Sequence, residues 1–171
     1  MREEEKRMQR RAETLGQTRT FTLSSPDFQN NGMMSEKLAG NSHNCHGENQ
    51  APTLNWSNPP ANTRSFALTV VDPDAPVRGG FHHWLVYNIP ASVHSLQGNT
   101  PYTEGTTSAN TRGYTGPCPP PGQTHHYIFT LYALDIERIP YEGLPYSSLM
   151  QAIEGHVLGS TLLVGLYRRQ S

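Results

Sequence analysis

The chain has 171 residues, a net charge of −1, 15 glycines and 14 prolines, and 35% of its residues are hydrophobic. So small a net charge gives no electrostatic basis for a nucleic-acid or anionic-membrane partner, and no apolar run approaches the ~20 residues that cross a bilayer. We therefore expect neither a nucleic-acid partner nor an integral membrane protein. The glycine and proline content favours a loop-rich β architecture over a helical bundle.

The N-terminal segment is a mixed charge run, "MREEEKRMQRRAETLGQT". It has no apolar centre of the kind that a secretory signal requires, and no apolar stripe that could dock it as a helix. We predict a disordered tail over residues 1–18 and one folded domain over residues 19–171. Without a signal peptide, Cys45 and Cys118 are expected to be reduced thiols in the cytoplasm.

The hydrophobic periodicity predicts a mainly β protein with one or two peripheral helices, hence a sandwich or a barrel. Residues 64–72 are apolar on both strand faces, which indicates a strand that is covered on both sides. Residues 146–157 have helical spacing, with Ser147 as the expected N-cap, and residues 91–115 form a long polar connection. Strands are predicted over residues 19–25, near 34–38, and over 52–60, 64–72, 82–90, 125–135 and 160–169.

Two His-His pairs each follow a loop rich in glycine and open a predicted strand. Since side chains alternate along a strand, His83 is expected to share a face with Leu85 and Tyr87. By the same alternation, His125 is expected to share a face with Tyr127. Asp72 ends the 64–72 strand, where its carboxylate can fix the tautomer of a neighbouring imidazole. These groups predict a small polar pocket at the strand ends.

Other interpretations of this cluster stay open from the residues alone. Asp72, His83 and His125 are the ligand types of a two-histidine, one-carboxylate metal site, and a hydrolytic enzyme could use the same groups. However, no H-x-H spacing, G-x-S-x-G elbow or phosphate-binding glycine loop occurs. A purely structural role in turns and strand ends is the third interpretation.

Four ordered segments carry a family resemblance. They are "DPDAP" (72–76), "HHWLVYNIP" (82–90), "GPCPPPG" with "HHYIFTLYALD" (116–135), and C-x-G-x-N-x-x-P-x-L-x-W from Cys45 to Trp56. Together they resemble the phosphatidylethanolamine-binding protein family, also called Raf kinase inhibitor-like, in its YbhB/YbcL-type branch. The resemblance covers residues 20–169 and implies an antiparallel β-sandwich of two sheets with one or two small helices.

The resemblance also implies an anion pocket. The residues that it places there are Asp72, His83, His125, Tyr127, Pro76, Trp84, Cys118, Pro119 and Pro120. His126 stands where the family usually has arginine, so no cation is fixed by motif, and Arg78 is the candidate in the adjoining loop. Protonated histidines are then the expected source of positive charge, which predicts anion affinity that rises as the pH falls.

The function implied is that of a non-enzymatic binder of phosphate-containing or other small anionic ligands, such as a phospholipid headgroup. It needs no cofactor and no metal, and it regulates a protein partner such as a kinase or a protease; homodimerisation is left open. The alternative is a metal-dependent or hydrolytic enzyme built on Asp72, His83 and His125. The resemblance further implies a cis Ala75–Pro76 bond and places Cys45 near Cys118 at the pocket rim.

Overall fold

The computed structural model describes residues 20–169, so the tail predicted over residues 1–18 lies outside the described residues. Its strands are β1 (Thr22–Ser24), β2 (Gly32–Met33), β3 (Leu54–Ser57), β4 (Ser65–Asp72), β5 (Phe81–Pro90), β6 (Ser95–Leu96), β7 (Thr103–Glu104), β8 (Thr124–Leu134) and β9 (Val157–Arg168). A 3₁₀-helix, Glu36–Leu38, follows β2, and one α-helix, α1, spans Tyr146–Ile153. Within residues 20–169, no helix is both long enough and apolar enough to span a bilayer.

The strands form two sheets, which confirms the predicted sandwich. The larger sheet has the order β2-β9-β8-β4-β5-β7, and the smaller has the order β1-β3-β6. All of the pairings are antiparallel except β2 with β9. β4 is the central strand, and all but one of its residues are buried, as its apolar sequence predicted.

Each face of the larger sheet carries its own hydrophobic cluster. One cluster lies between the sheets, where Trp56 of β3 contacts Phe66 of β4 with ring centroids 5.3 Å apart. The other lies on the outer face, where α1 places Leu149 and Ile153 over Ala67 of β4. We call these the inter-sheet face and the outer face. Burial of β4 on both faces fixes the sheet register, because a one-residue slip would exchange the two sets of side chains.

Three local predictions were wrong. The strand expected near 34–38 is shorter and earlier, because residues 36–38 close into a 3₁₀-turn in which Ala39 N–H donates to the Glu36 carbonyl. The helix ends at Ile153 rather than near 157, since Gly155 takes a φ of 83° that no helix allows. Its N-cap is Pro145, not Ser147, and no side chain caps it.

The connection over residues 91–115 contains more structure than was predicted. It holds the two-residue strands β6 and β7, and Thr106 pairs with Arg112 in an isolated bridge. Strands this short carry almost no periodic signal in the sequence. The segment returns along β5 and ends beside the strand starts, where it forms part of the site described next.

The Ala75–Pro76 bond is trans, so the expected cis bond was wrong; no cis bond occurs in residues 20–169. The turn after β4 closes without one. Asp74 N–H donates to Asp72 Oδ1 at 2.8 Å, and Val77 N–H donates to the Ala75 carbonyl at 2.8 Å. Local hydrogen bonds to an Asp side chain are a common way to stabilise such a turn.

Candidate functional site

A cavity of about 650 Å³ opens at one end of the larger sheet. β4 ends there, and its two antiparallel neighbours, β5 and β8, begin there. Asp72, His83, His125 and Tyr127 all line the cavity, and each is buried. The structure therefore brings together the four groups that the sequence predicted would converge.

His83 reaches the cavity through a β-bulge that the sequence did not predict. Val70 pairs with Trp84, but Val71 pairs with His82, so His83 is one extra residue in β5. The extra residue turns the His83 ring to the inter-sheet face, where it meets Tyr127 edge-on with centroids 5.2 Å apart. The expectation that His83 shares a face with Leu85 and Tyr87 was therefore wrong, since these two residues belong to the outer face.

The His83 ring is held in one orientation. Its Nδ1–H donates to the Thr115 carbonyl at 2.7 Å, which leaves Nε2 without a hydrogen bond to any residue in the described chain. Burial lowers the pKa of His83 below its ordinary value, although the Thr115 carbonyl and the charge of Asp72 act in the opposite direction. The ring is thus mainly neutral at pH 7 and presents an acceptor, which becomes a donor when the ring is protonated.

Asp72 and His125 form a buried pair. His125 Nδ1–H donates to Asp72 Oδ2 at 2.7 Å, and Asp72 Oδ1 accepts the Asp74 N–H. His125 Nε2 lies 2.9 Å from Gln123 Oε1, which the protonated ring can reach as a donor. The neutral ring makes the same contact when the Gln123 amide rotates to present its NH₂ group. Both Asp72 oxygens therefore have donors of their own, so its charge is compensated locally.

Tyr127 brings a hydroxyl group without a partner to the site. The side chain is 1% exposed, and its hydroxyl oxygen is buried with no hydrogen-bond partner among residues 20–169. Burial raises the pKa of Tyr127, and the charge of Asp72 raises it further, so the group remains a neutral phenol. A buried hydroxyl with no partner costs free energy in the folded state, which a ligand oxygen can recover.

The proline-rich loop forms the rim of the cavity. Pro76, Cys118, Pro119 and Pro120 all line it, as predicted. Cys118 is joined to Cys45 by a disulfide, with Cα atoms 5.9 Å apart. The expected proximity of the two cysteines is confirmed, whereas the expectation of two reduced thiols was wrong for this structure. The disulfide ties the Cys118 loop to the segment around Cys45.

Trp84 is the one predicted site residue that does not line the cavity. It is buried behind Tyr114, a lining residue, with the two rings edge-to-face and 5.3 Å apart. Its indole Nε1–H points to Glu104 Oε2 at 3.5 Å. Trp84 therefore supports the wall without reaching a ligand.

Sequence reasoning missed the residue that braces this wall, Asn49. Its Nδ2–H donates to the Tyr114 carbonyl at 3.0 Å, and its Oδ1 accepts the Gly116 N–H at 2.7 Å. Gly116 lies so close to the preceding chain that a Cβ would come within 2.4 Å of the Leu38 carbonyl oxygen. The asparagine of the C-x-G-x-N stretch was a usable signal, because Asn side chains commonly hydrogen-bond the backbone of loops and tolerate a left-handed φ, which is 52° here.

Sequence reasoning also missed the cation at the cavity mouth. Arg112 lines the cavity, whereas Arg78, the expected candidate, does not. The Arg112 guanidinium is half-exposed and lies 3.5 Å from Glu142 Oε1. It belongs to the 91–115 connection, whose course across the cavity could not be deduced from its sequence.

The geometry gives little support to a metal centre. In residues 20–169, no group of three His, Cys, Asp or Glu side chains is arranged to hold a metal ion. Asp72 Oδ2 and His125 Nδ1 are already joined by the hydrogen bond described above. What the arrangement can do is donate hydrogen bonds to an anion from Tyr127 and, once protonated, from His83.

Comparisons with known proteins show which chains this protein is similar to. The family model described as phosphatidylethanolamine-binding protein matches residues 24–168. A UPF0098 protein of Methanothermobacter thermautotrophicus is 42% identical over 74% of this chain and 88% of its own length. UPF0098 protein YbhB of Escherichia coli is 36% identical over 85% of this chain and 98% of its own length. The crystal structure of E. coli YbcL, described as a new member of the mammalian PEBP family, superposes with a TM-score of 0.83 at 30% identity, covering 88% of this chain and 99% of YbcL.

Proposed function

The chain belongs to the phosphatidylethanolamine-binding protein family, in its YbhB/YbcL-type branch, and from that premise we propose that it binds small phosphate-containing or other anionic molecules without transforming them. A phospholipid headgroup is one such molecule, and free phosphate is the simplest. The cavity is large enough for either and is open to solvent at its proline-lined rim.

One observation carries the proposal: the cavity contains buried polar atoms that the described chain leaves without partners. The Tyr127 hydroxyl is of this kind, and His83, whose Nδ1 is taken by the Thr115 carbonyl, lines the same cavity with its Nε2 uncommitted. Buried polar groups are nearly always hydrogen-bonded, so the Tyr127 hydroxyl beside this ring indicates a site for ligand oxygens. Anionic oxygens are the acceptors that gain most from such donors.

The charge balance is compatible with an anion. The Asp72 carboxylate would repel one, but it faces the His125 Nδ1–H and the Asp74 N–H. Arg112 adds a cation at the mouth of the cavity. Protonation of His83 adds a positive charge next to the Tyr127 hydroxyl, at the place where an anion would be bound.

The enzymatic alternative has less support. In a metal centre built on Asp72, His83 and His125, two candidate ligand atoms are already engaged, because His125 Nδ1–H donates to Asp72 Oδ2. A hydrolytic mechanism would need a positioned nucleophile, and Ser42, the serine on the cavity wall, contacts only the neighbouring His43 ring on the exposed rim. We therefore propose binding rather than catalysis.

We extend the proposal to a protein partner, a kinase or a protease, whose activity the liganded chain regulates in the cytoplasm. Family membership is the support for this part. Inhibition of a kinase panel and a protease panel, measured with and without inorganic phosphate, tests it directly. Inhibition that depends on phosphate is the expected result, and no inhibition in either panel would contradict it.

Isothermal titration with inorganic phosphate tests the binding itself. Phosphate affinity should rise as the pH falls from 8 to about 5.5, because the bound anion favours the protonated form of His83. The rise should continue below pH 6.5, since burial lowers the pKa of His83 beneath that ordinary value. Phosphoethanolamine, titrated in parallel, distinguishes a headgroup from free phosphate.

Matched variants give the control. His83→Ala should weaken phosphate binding by about tenfold, the loss expected for one hydrogen bond to a charged group. His125→Ala should weaken it too, because the Asp72 carboxylate loses the donor that compensates its charge beside the anion. His156→Ala should bind as the wild type does, because His156 pairs with Asp135 on the exposed surface. Affinity that is independent of pH, or full affinity in both cavity variants, would refute the proposed function.

A further inference from the structure

One wall of the cavity is a short segment that few backbone hydrogen bonds hold in place. Gly40 N–H donates to the Pro117 carbonyl at 2.8 Å, and Gly47 N–H donates to the Gly40 carbonyl at 2.9 Å, so both ends are fixed. Between them, residues 42–45 form a tight turn closed by Cys45 N–H and the Ser42 carbonyl at 3.0 Å. Asn41, Ser42 and His43 line the cavity. We call residues 41–46 the wall segment.

The turn in the wall segment is conformationally unfavourable. His43 and Asn44 have φ values of 56° and 69°, the left-handed region in which residues other than glycine are strained. Two consecutive residues of this kind persist only where the surroundings hold them. The strongest restraint on the turn is covalent, because the disulfide from Cys45 ties it to Cys118, 73 residues away, on the opposite side of the rim.

A guanidinium lies against both sulfurs of this disulfide. Arg169 Nη1 is 3.4 Å from Cys45 Sγ, 3.4 Å from Cys118 Sγ and 3.4 Å from the His43 carbonyl oxygen. A cation in this position stabilises a thiolate that leaves when a disulfide is attacked, and a better leaving group accelerates exchange. The two sulfurs also differ in access, since Cys118 is half-buried at the rim whereas Cys45 is 6% exposed.

We propose that the Cys45–Cys118 disulfide is a redox-responsive clasp on the cavity wall, opened by a dithiol reductant. A reductant thiolate attacks Cys118 Sγ, the S–S bond breaks, and Cys45 leaves as a thiolate beside Arg169. The second reductant thiol then attacks the mixed disulfide and releases Cys118. The reductant is oxidised to its own disulfide by two electrons, and its two thiol protons end on Cys45 and Cys118.

Opening the clasp removes the covalent restraint on the wall segment, and the left-handed turn can relax. The cavity then loses the fixed positions of Ser42 and His43, so a ligand must order them when it binds. This consequence rests on the proposed function. The oxidised chain is expected to bind inorganic phosphate about tenfold more tightly than the reduced chain.

The chemistry is tested first without any ligand. The oxidised protein is treated with dithiothreitol, and free thiols are alkylated and counted by mass spectrometry over time. Arg169→Gln should be reduced about threefold or more slowly than the wild type, because the leaving thiolate loses its cation. Arg168→Gln removes the same charge one residue earlier without touching either sulfur, and should be reduced at the wild-type rate. Equal rates in all three proteins would overturn the role of Arg169.

The effect on the wall is tested by hydrogen exchange. Reduction should increase amide exchange within residues 41–46 and leave the strands β4 and β8 protected. A Cys45→Ser, Cys118→Ser double variant should exchange as the reduced wild type does and should not respond to dithiothreitol. Unchanged exchange in the wall segment, or unfolding of the whole chain on reduction, would overturn the proposal whether or not the double variant folds.

Phosphate titration of the oxidised and reduced proteins completes the test. Tighter binding by the oxidised form supports the clasp, and equal affinity overturns its effect on the cavity. If neither form binds phosphate, the proposed function fails. In that case the hydrogen-exchange measurement still shows whether reduction of the disulfide loosens the wall segment. The failure of the proposed function and the failure of the clasp therefore remain distinguishable.

Discussion

Two buried tyrosines, one on each face of the larger sheet, differ in how their hydroxyl groups are hydrogen-bonded. On the outer face, the Tyr87 hydroxyl donates to the Tyr141 carbonyl and accepts the Leu144 N–H. Nearby, the Asn88 side chain donates to the Ile139 carbonyl and accepts the Ile139 N–H. On the inter-sheet face, the Tyr127 hydroxyl has no partner within residues 20–169.

This difference separates a hydroxyl group that stabilises the fold from one that the proposed ligand would complete. A completed hydrogen bond contributes about 1 kcal/mol to stability, whereas an unmade one at a buried site costs at least as much. Tyr87 and Asn88 therefore need no ligand to complete their hydrogen bonds. The inter-sheet face keeps an incomplete set at its open end, and the surrounding strands tolerate that cost because their apolar burial is extensive.

The largest expected effect comes from breaking the buried Asp72–His125 pair of the cavity. Asp72→Ala leaves the His125 Nδ1–H buried without its acceptor and should lower the free energy of unfolding by about 2–3 kcal/mol in urea denaturation. Asp135→Ala breaks a pair of the same type, His156 with Asp135 at 2.9 Å, but both members are 43% exposed. Asp135→Ala should therefore lower the free energy of unfolding by less than about 1 kcal/mol. Equal costs for the two variants would contradict the comparison.

A pair of tyrosine variants sharpens the contrast between the faces. Tyr127→Phe should weaken phosphate binding by about tenfold and raise the free energy of unfolding by about 1 kcal/mol, since it removes a buried hydroxyl that has no partner in the described chain. Tyr87→Phe should do the reverse, with unchanged phosphate affinity and a loss of about 1 kcal/mol, because it loses its bond to the Tyr141 carbonyl. Phosphate titration and urea denaturation of both variants measure the two opposite changes in affinity and stability. The idea fails if Tyr127→Phe binds phosphate normally.

The smallest expected effect is a pH dependence of stability that arises at the cavity end. The pKa of His83 is lowered by burial in the folded chain, while the unfolded chain titrates near the ordinary 6.5. The unfolded state therefore binds more protons between these values, and stability should fall as the pH drops below 6.5. The slope from one group is at most about 1.4 kcal/mol per pH unit.

His83→Asn isolates this contribution, because the Asn amide can still donate to the Thr115 carbonyl but does not titrate. Urea denaturation of the wild type and of this variant between pH 5.5 and 7.5 gives the difference in slope. A wild type without the additional slope would show that His83 titrates equally in both states. His82, whose pKa is also lowered by burial, remains in both proteins and cancels from the difference.

The long strands could be predicted because each contains many residues of regular apolar pattern. β4, β5 and β8 each contain eight or more residues of patterned apolar sequence, and their predicted bounds differ from the observed ones by no more than one residue at either end. The site residues Asp72, His125 and Tyr127 were predictable because strand alternation places them on the inner side of strand ends. The family resemblance supplied the proline rim in addition.

The other features of the fold and the site could not be predicted, because they depend on interactions that leave no mark on the alternation of apolar and polar residues. The bulge at His83 depends on a single unpaired residue, and a strand with or without it has the same hydrophobic pattern locally. The two-residue strands β6 and β7 exist only because neighbouring strands offer them hydrogen bonds. Asn49 and Arg112 act at the site through loops, whose paths are set by tertiary contacts rather than by periodicity.

The bulge also has a genetic consequence. Because His83 is the extra residue of β5 at the bulge between Val70 and Val71, an in-frame three-nucleotide deletion of its codon would leave His82 opposite Val71 and Trp84 opposite Val70, in a ladder that is continuous at this end of the strand. Most deletions inside a strand shift every following side chain to the wrong face. This one removes a single ring from the cavity and restores regular pairing at that end of β5, so that loss of the proposed ligand recognition and retention of the fold can come from the same allele.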